Sequence, residues 1–352
     1  MRSTWRNRPG AVDRPCGRAL GPVRGAAFGL LSASGCLLAA SAGSASATMS
    51  SAIVRSGGDG HVYVTNQLDD TVSVIDARTN RVVATVPAGT APAGVAVAPA
   101  GGHAYIADSG SAGVSVLDTR TNKIVGTVPV GKSPSGVALS PDGTALYVAD
   151  GGSNRVSVLD TRTNRVTRSI PVGTSPVKVA VSRDGNAAYV ANAGSGSVSV
   201  IDTRTHRVVR AIRAGRSPVS VAVAPDGRSA YVADETAANV SVVGTRTGTI
   251  TATVPVGEGP FDVALGPDGR SAYVAVLGPG KVSVIDTRGH RVSATVSVGP
   301  PGTDPFNVAV GSSAIYVTNQ GAGTLAVIDA KTLKVTATVT VGNSPYGVAV
   351  GP

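Results

Sequence analysis

The sequence predicts an all-β fold: a seven-bladed β-propeller of four-stranded antiparallel blades, with the ring closed by the C-terminal strand. Three observations predict it. Tyr63, Tyr105, Tyr147, Tyr189, Tyr231, Tyr273 and Tyr316 recur at intervals of 42, 42, 42, 42, 42 and 43 residues. A fixed period of that size marks one supersecondary unit copied and stacked. Each period holds four short runs rich in Val, Ile and Thr, separated by Gly, Pro, Asp and Asn, which is the composition of strands and their turns. No stretch carries a helical repeat over a useful length.

In chain order, residues 1–47 read as a secretory signal peptide. Arg2, Arg6, Arg8, Arg14, Arg18 and Arg24 make a basic start, residues 26–40 are uncharged and mostly apolar or small, and Ala45-Ser46-Ala47 offers the small residues a signal peptidase reads. The apolar stretch is too short for a membrane span. Ala33-Ser34-Gly35-Cys36 loosely matches a lipoprotein cleavage box. Leu37-Leu38-Ala39-Ala40 carries the apolar core past Cys36, however, so secretion or residence in the cell envelope is expected over lipid anchoring. Both cysteines, Cys16 and Cys36, fall in this segment, which leaves the mature chain without disulfide or thiolate chemistry. Residues 48–60 are a short N-terminal segment and residues 61–352 the propeller. Setting residues 1–47 aside reduces the net charge of +10 to about +5, too little to imply nucleic acid by itself.

Residues 136–173 show one repeat. Gly136 to Leu139 is an apolar run. Pro141-Asp142-Gly143 is a turn in which Pro presets φ and Gly supplies the left-handed position. Leu146 to Ala149 and Val156 to Leu159 are the second and third runs. Asp160-Thr161-Arg162-Thr163-Asn164 is a turn, and Val166 to Ile170 the fourth run. Such a sheet is apolar on both faces, and stacking blades around an axis covers both. At the end of the chain, Tyr346-Gly347-Val348-Ala349-Val350 supplies an extra first strand, expected to complete the blade of Tyr63 and remove its open edge.

These residues also carry a resemblance. Tyr63-Val64-Thr65-Asn66 and Tyr316-Val317-Thr318-Asn319 match the motif of the YVTN-repeat (YncE-like) propeller family letter for letter, and the turn Asp160 to Asn164 matches its third-to-fourth-strand connection. The pattern breaks at Val276, where Asn or Asp is expected, and at Gly244, where Asp is expected. The resemblance implies an exported or cell-surface protein, in a family where many members have no assigned activity. The chain has no Trp-Asp pair, so the Gly-His…Trp-Asp signature of WD-repeat blades is not formed.

The repeats differ most informatively at two positions in the first strand. The residue before the first-strand Val reads Gly94, Gly136, Lys178, Ser220, Asp262, Asn307 and Gly347 around the ring; the one before that reads Ala93, Ser135, Val177, Val219, Phe261, Phe306 and Tyr346. The first strand lines the channel of a propeller, so one arc of the channel mouth should be aromatic and polar and the other glycine. Aromatic surface beside a few convergent polar groups is how ligand sites are built. Phe261, Phe306 and Tyr346 are therefore the expected apolar contacts of a ligand or partner, with Lys178, Ser220, Asp262 and Asn307 to orient it, and the insertion 300–304 is expected to overhang this arc.

The remaining polar groups have plainer roles. An Asp that opens a turn accepts backbone N–H bonds from the residues after it, which accounts for Asp118, Asp160, Asp202 and Asp286 without calcium. The histidines His61, His103, His206 and His290 fall at strand ends and turns at no ligand-like spacing, so neither a metal nor a cofactor is expected. Arg78, Arg120, Arg162, Arg204, Arg246 and Arg288 place one cation in each of six turns, a rim that could meet an anionic envelope polymer. No aromatic residues interleave with them to stack bases, which argues against nucleic acid.

The expected function is a non-catalytic binding or interaction module of the cell envelope or extracellular space, a monomer holding a protein, glycan or small molecule at the channel mouth. The alternatives are a lactonase-like hydrolase using Asp262 or Glu258 as base, an amine-dehydrogenase-like propeller subunit, and a structural surface-layer component.

Overall fold

The computed structural model describes residues 60–352. The expected signal peptide, Cys36 and residues 48–59 lie outside the described residues. Twenty-eight strands, among the described residues, form seven four-stranded antiparallel sheets. Blade 1 is β1 (His61–Asn66), β2 (Thr71–Asp76) and β3 (Arg81–Pro87), completed from the far end of the chain. Blade 2 is β4 (Pro92–Val97), β5 (His103–Asp108), β6 (Gly113–Asp118) and β7 (Lys123–Pro129). Blade 3 is β8 (Pro134–Leu139), β9 (Ala145–Asp150), β10 (Arg155–Asp160) and β11 (Arg165–Pro171). Blade 4 is β12 (Pro176–Val181), β13 (Ala187–Asn192), β14 (Ser197–Asp202) and β15 (Arg207–Arg213). Blade 5 is β16 (Pro218–Val223), β17 (Ser229–Asp234), β18 (Asn239–Gly244) and β19 (Thr249–Pro255). Blade 6 is β20 (Pro260–Leu265), β21 (Ser271–Val276), β22 (Lys281–Asp286) and β23 (Arg291–Ser297). Blade 7 is β24 (Pro305–Val310), β25 (Ala314–Asn319), β26 (Thr324–Asp329) and β27 (Val335–Thr340). The last strand, β28 (Pro345–Val350), pairs with β1 as the sequence predicts, with Val62 opposite Val350 and Val64 opposite Val348.

Burial follows the place of each strand in its blade. The two middle strands are buried on both faces, as in β9 and β10, because neighbouring blades cover them on either side. The outer strands are exposed at nearly every position; β11 and β15 each bury one residue, Ile170 and Ile212. The repeated tyrosines sit in the clusters between blades. Tyr105 Oη donates to the Thr161 carbonyl of the next blade at 3.4 Å, and Tyr231 Oη to that of Thr287 at 3.4 Å. One side chain thus fills the interface and spends its polar tip on the neighbour.

Turn chemistry accounts for the rest of the repeat. Asp76, Asp118, Asp160, Asp202 and Asp329 each accept from the backbone N–H three residues on, at 2.7–2.8 Å. The last residue of each turn is left-handed, with φ of 55° at Asn80, 52° at Asn164, 54° at His206 and 47° at His290. Asn tolerates that region and His is enriched there, which gives His206 and His290 a conformational reason for their place. At the departure from the pattern, Gly244, no carboxylate caps the turn and Thr247 Oγ1 donates to the Gly244 carbonyl instead.

The Asn or Asp that ends the second strand in six of the blades is buried and structural. Asn66 Nδ2 donates to Ser73 Oγ at 2.9 Å, while its Oδ1 accepts from the Gly342 N–H at 3.0 Å. Ser115 Oγ donates to Asp108 at 2.7 Å, and Ser157 Oγ to Asp150 at 2.6 Å. Burial pushes the carboxyls of Asp108 and Asp150 up to about 6. No helix among the described residues is long and apolar enough to cross a membrane.

Candidate functional site: the central channel

The first strands β4, β8, β12, β16, β20, β24 and β28 line the channel, and the seven variable positions form one layer across it. On one arc the layer is glycine for a steric reason. A Cβ at Gly136 would lie 2.5 Å from the Val177 carbonyl oxygen of the next blade, and one at Gly347 would lie 2.4 Å from that of Ala93. Backbones of adjacent blades fill the space that a side chain would need.

On the other arc, four predicted residues bond to one another. Lys178 Nζ lies 3.0 Å from Asp262 Oδ1 and donates to Asn307 Oδ1 at 2.8 Å, reaching across from blade 4 to blades 6 and 7. Ser220 Oγ donates to Asp262 Oδ1 at 2.6 Å, and the Val308 N–H to Asp262 Oδ2 at 3.0 Å. Asp262 is only 2% exposed, so it depends on these partners in place of water. A lysine ammonium has three N–H donors; the cluster uses two of them.

The three aromatic residues form a row next to this layer. The Phe261 and Phe306 ring centroids are 3.7 Å apart, and those of Phe306 and Tyr346 4.5 Å. Phe306 is buried, while Phe261 and Tyr346 are part-exposed. Burial first, and then the nearby Asp262 carboxylate, push the Tyr346 phenol up to about 12, so it stays protonated. Between this row and the Lys178–Asp262 pair lies a cavity of about 40 Å³, room for roughly one or two waters. The insertion 300–304 is tied to its neighbours: Thr303 Oγ1 donates to the Pro300 carbonyl at 2.6 Å, and Asp304 Oδ1 accepts from the Gly278 N–H at 3.2 Å.

On the far side of the same ion pair the channel widens into an open cleft of about 500 Å³. Its walls include Val179, Val181, Val221, Val223, Val263 and Leu265, its inner end is Lys178 and Asp262, and Arg183 stands at its edge. The sequence reading missed this space, because valines at regular first-strand positions look like ordinary core. The signal was available in β12, β16 and β20: the residue two after the variable position shares its face and is the small Ala180, Ala222 or Ala264, which leaves room in a channel that seven blades cannot close.

The rim arginines Arg78, Arg120, Arg162, Arg204, Arg246 and Arg288 are exposed, one in each of six turns. None lies within ion-pair distance of a carboxylate; the salt bridges among the described residues are Lys178–Asp262 and Arg270–Asp268. Glu258, the other base considered for lactone hydrolysis, is exposed in the loop before β20 and outside both cavities.

Comparison with solved structures returns the same architecture. Hydrazine synthase from Kuenenia stuttgartiensis matches with a TM-score of 0.67 at 23% identity, over 73% of this chain and 88% of that one. A functionally unknown protein from Desulfotomaculum acetoxidans matches with a TM-score of 0.71 at 16% identity, over 83% and 99% of the two chains. The dihydro-heme d1 dehydrogenase NirN in complex with DHE matches with a TM-score of 0.63 at 16% identity, over 84% and 76%. At these identities the likeness is one of fold. No curated protein matches the sequence. The family model of the YncE-like β-propellers matches residues 40–142 and 138–227, more than half of the chain. With seven blades, a ring closed by β28 and the Tyr-Val-Thr-Asn repeats in place, the chain belongs to the YncE-like β-propeller family.

Proposed function

We propose that this propeller is a non-catalytic binding module, exported to the envelope or beyond, that takes a small ligand in its central channel. The observation that carries the reading is the open cleft of about 500 Å³, with valine, alanine and leucine side chains on its walls and Lys178 and Asp262 at its inner end. That volume lies in the range of small-molecule sites, where apolar walls supply affinity and a few polar groups fix orientation. The unused N–H donor of Lys178 and the guanidinium of Arg183 favour a ligand with an apolar body and a carbonyl or carboxylate end. Asp262 accepts three short contacts, from Ser220, Lys178 and Val308, so it is poorly placed to act as a general base. This favours binding over hydrolysis. The aromatic row would then close the other end of the channel, with Phe261 and Tyr346 offering a partner a surface.

A thermal-shift screen of aliphatic and aromatic carboxylates tests the reading. At least one should raise the melting temperature of the native protein and not that of Val223→Phe, which fills the cavity from its wall. A ligand that still binds Val223→Phe but is lost in the Phe261→Ala, Phe306→Ala double variant would move the site to the aromatic end.

A further inference from the structure

Among the described residues the positive charge is concentrated in one sector. Residues 155–216 hold eleven Arg and Lys against three Asp, a net charge of +8, while the other described residues hold thirteen basic against sixteen acidic groups. In the fold this stretch is the outer half of blade 3 and all of blade 4, whose outer strands β11 and β15 are neighbours. Arg165 and Arg168 stand on β11, and Arg207, Arg210 and Arg213 on β15, all exposed. Arg162 and Arg204 extend the two rows into the turns.

None of these seven arginines is in an ion pair, although Arg162 and Arg204 stand near enough to Asp160 and Asp202 to lower those carboxyls. Two of the three carboxylates in the stretch, Asp160 and Asp202, already accept from Thr163 and Thr205 of their own turns. Arg210 instead reaches the Thr245 and Arg246 carbonyls of blade 5, at 3.4 and 3.1 Å, and Arg168 the Thr167 carbonyl at 2.7 Å. A bulge in each outer strand sets Arg165 and Arg168 opposite Asp160 and Val158, and Arg207 and Arg210 opposite Asp202 and Val200, so each pair shares one face of its blade about 7 Å apart along the strand. Two such rows lie side by side on a convex wall.

We propose that the outer wall of blades 3 and 4 is a docking surface for an extended, non-aromatic polyanion: a chain of sugars or polyols bearing phosphate, sulfate or carboxylate groups. Arginine suits such groups because its planar fork pairs with them bidentately. The surroundings select the polymer. Among residues 155–216 Tyr189 is buried and His206 is half-buried in its turn, so no exposed Trp, Tyr or Phe is there to receive a nucleobase. The exposed apolar residues beside the arginines are Val166, Val208 and Val209, with no Trp or Phe to enter a bilayer. The site is separate from the channel and stands or falls independently of it.

The test uses the full chain and four probes: dextran sulfate, polygalacturonate, poly(glycerol phosphate) and, for comparison, an oligothymidylate matched in charge. Anionic phosphatidylglycerol vesicles are a further arm. The sector variant carries Arg165→Gln, Arg168→Gln, Arg207→Gln and Arg210→Gln. The control removes equal charge elsewhere, with Arg78→Gln, Arg120→Gln, Arg246→Gln and Arg288→Gln. At least one sugar or polyol probe should bind the native chain, with affinity falling on the order of 100-fold between 50 and 200 mM salt, as about five charge contacts to a single-stranded polyanion imply. That affinity should drop at least tenfold in the sector variant and less than twofold in the control, with both variants melting as cooperatively as the native protein. The three sugar and polyol probes distinguish sulfate, carboxylate and phosphate. Equal losses in the two variants, tighter binding of the oligothymidylate or the vesicles, or no binding of any polymer would each overturn the proposal.

Discussion

Asp108 and Asp150 are buried where three other blades carry Asn66, Asn192 and Asn319, and the substitution Asp108→Asn, Asp150→Asn should make the protein more stable at neutral pH. Burial holds both carboxyls at about 6, against an ordinary value of 3.8. Each unit is worth about 1.4 kcal/mol, so ionising either group in the folded protein costs roughly 3 kcal/mol at most. The folded state takes up these protons more readily than the unfolded chain. Their contribution is therefore fully present below about pH 4 and is lost as the pH rises through about 6. Asparagine resembles the protonated acid and fits the site, as Asn66 shows by donating to Ser73 and accepting from Gly342. Chemical denaturation should show each single variant more stable than the native protein by about 1–3 kcal/mol at pH 8. The two should be nearly equal at pH 4, and the native stability should fall across pH 4–7 in a way the double variant's does not. If the variants are less stable at pH 8, the hydrogen bonds from Ser115 and Ser157 outweigh desolvation and the reasoning is wrong.

Three further outcomes follow from contacts in the fold. Lys178→Met strands the Asp262 carboxylate in a buried site and should cost about 3–5 kcal/mol, whereas the double variant Lys178→Met, Asp262→Asn should recover more than half of that in equilibrium unfolding. Gly136→Ala drives a methyl into the blade 4 backbone and should destabilise by about 1–3 kcal/mol; Gly126→Ala, on an exposed outer strand with open space around it, should leave the melting temperature level or raise it. Gly244→Asp restores the turn cap that the other blades have, and Thr247 can swing to meet it; calorimetry should show a gain of about 0.5–1 kcal/mol.

Much of the fold was legible because the repeat ties each residue type to one physical task. The tyrosine spacing located all seven blades, and the orphan strand after Ser344 identified the closure. The Asp of each third-to-fourth turn was legible because capping is local. The channel was legible only in part. Differences between repeats picked out Lys178, Ser220, Asp262 and Asn307, which do meet. That they bond across the channel depends on the radius of a seven-membered ring, which no single repeat encodes. The wide cavity is hidden for the same reason. Ala222 and Val223 resemble core residues in sequence, and only the ring geometry leaves them half-exposed to open space. The charge asymmetry was in plain view, but reading the turns as an even rim averaged over it; Arg168, Arg210 and Arg213 are strand residues, and counting them shows the sector.

The closure of the ring by β28 has a mechanical consequence. Val62, at the start of the described chain, lies opposite Val350, at its finish, so both ends leave the same end of one antiparallel pair. Tension between them loads one rung of that ladder at a time, and β28 peels from β1 like a zipper at low force. Had the ends left from opposite extremes, all the rungs would have shared the load in shear. A chain tethered at one end alone places no load on the latch. A chain held at both ends and stretched would open into a linear array of six intact blades.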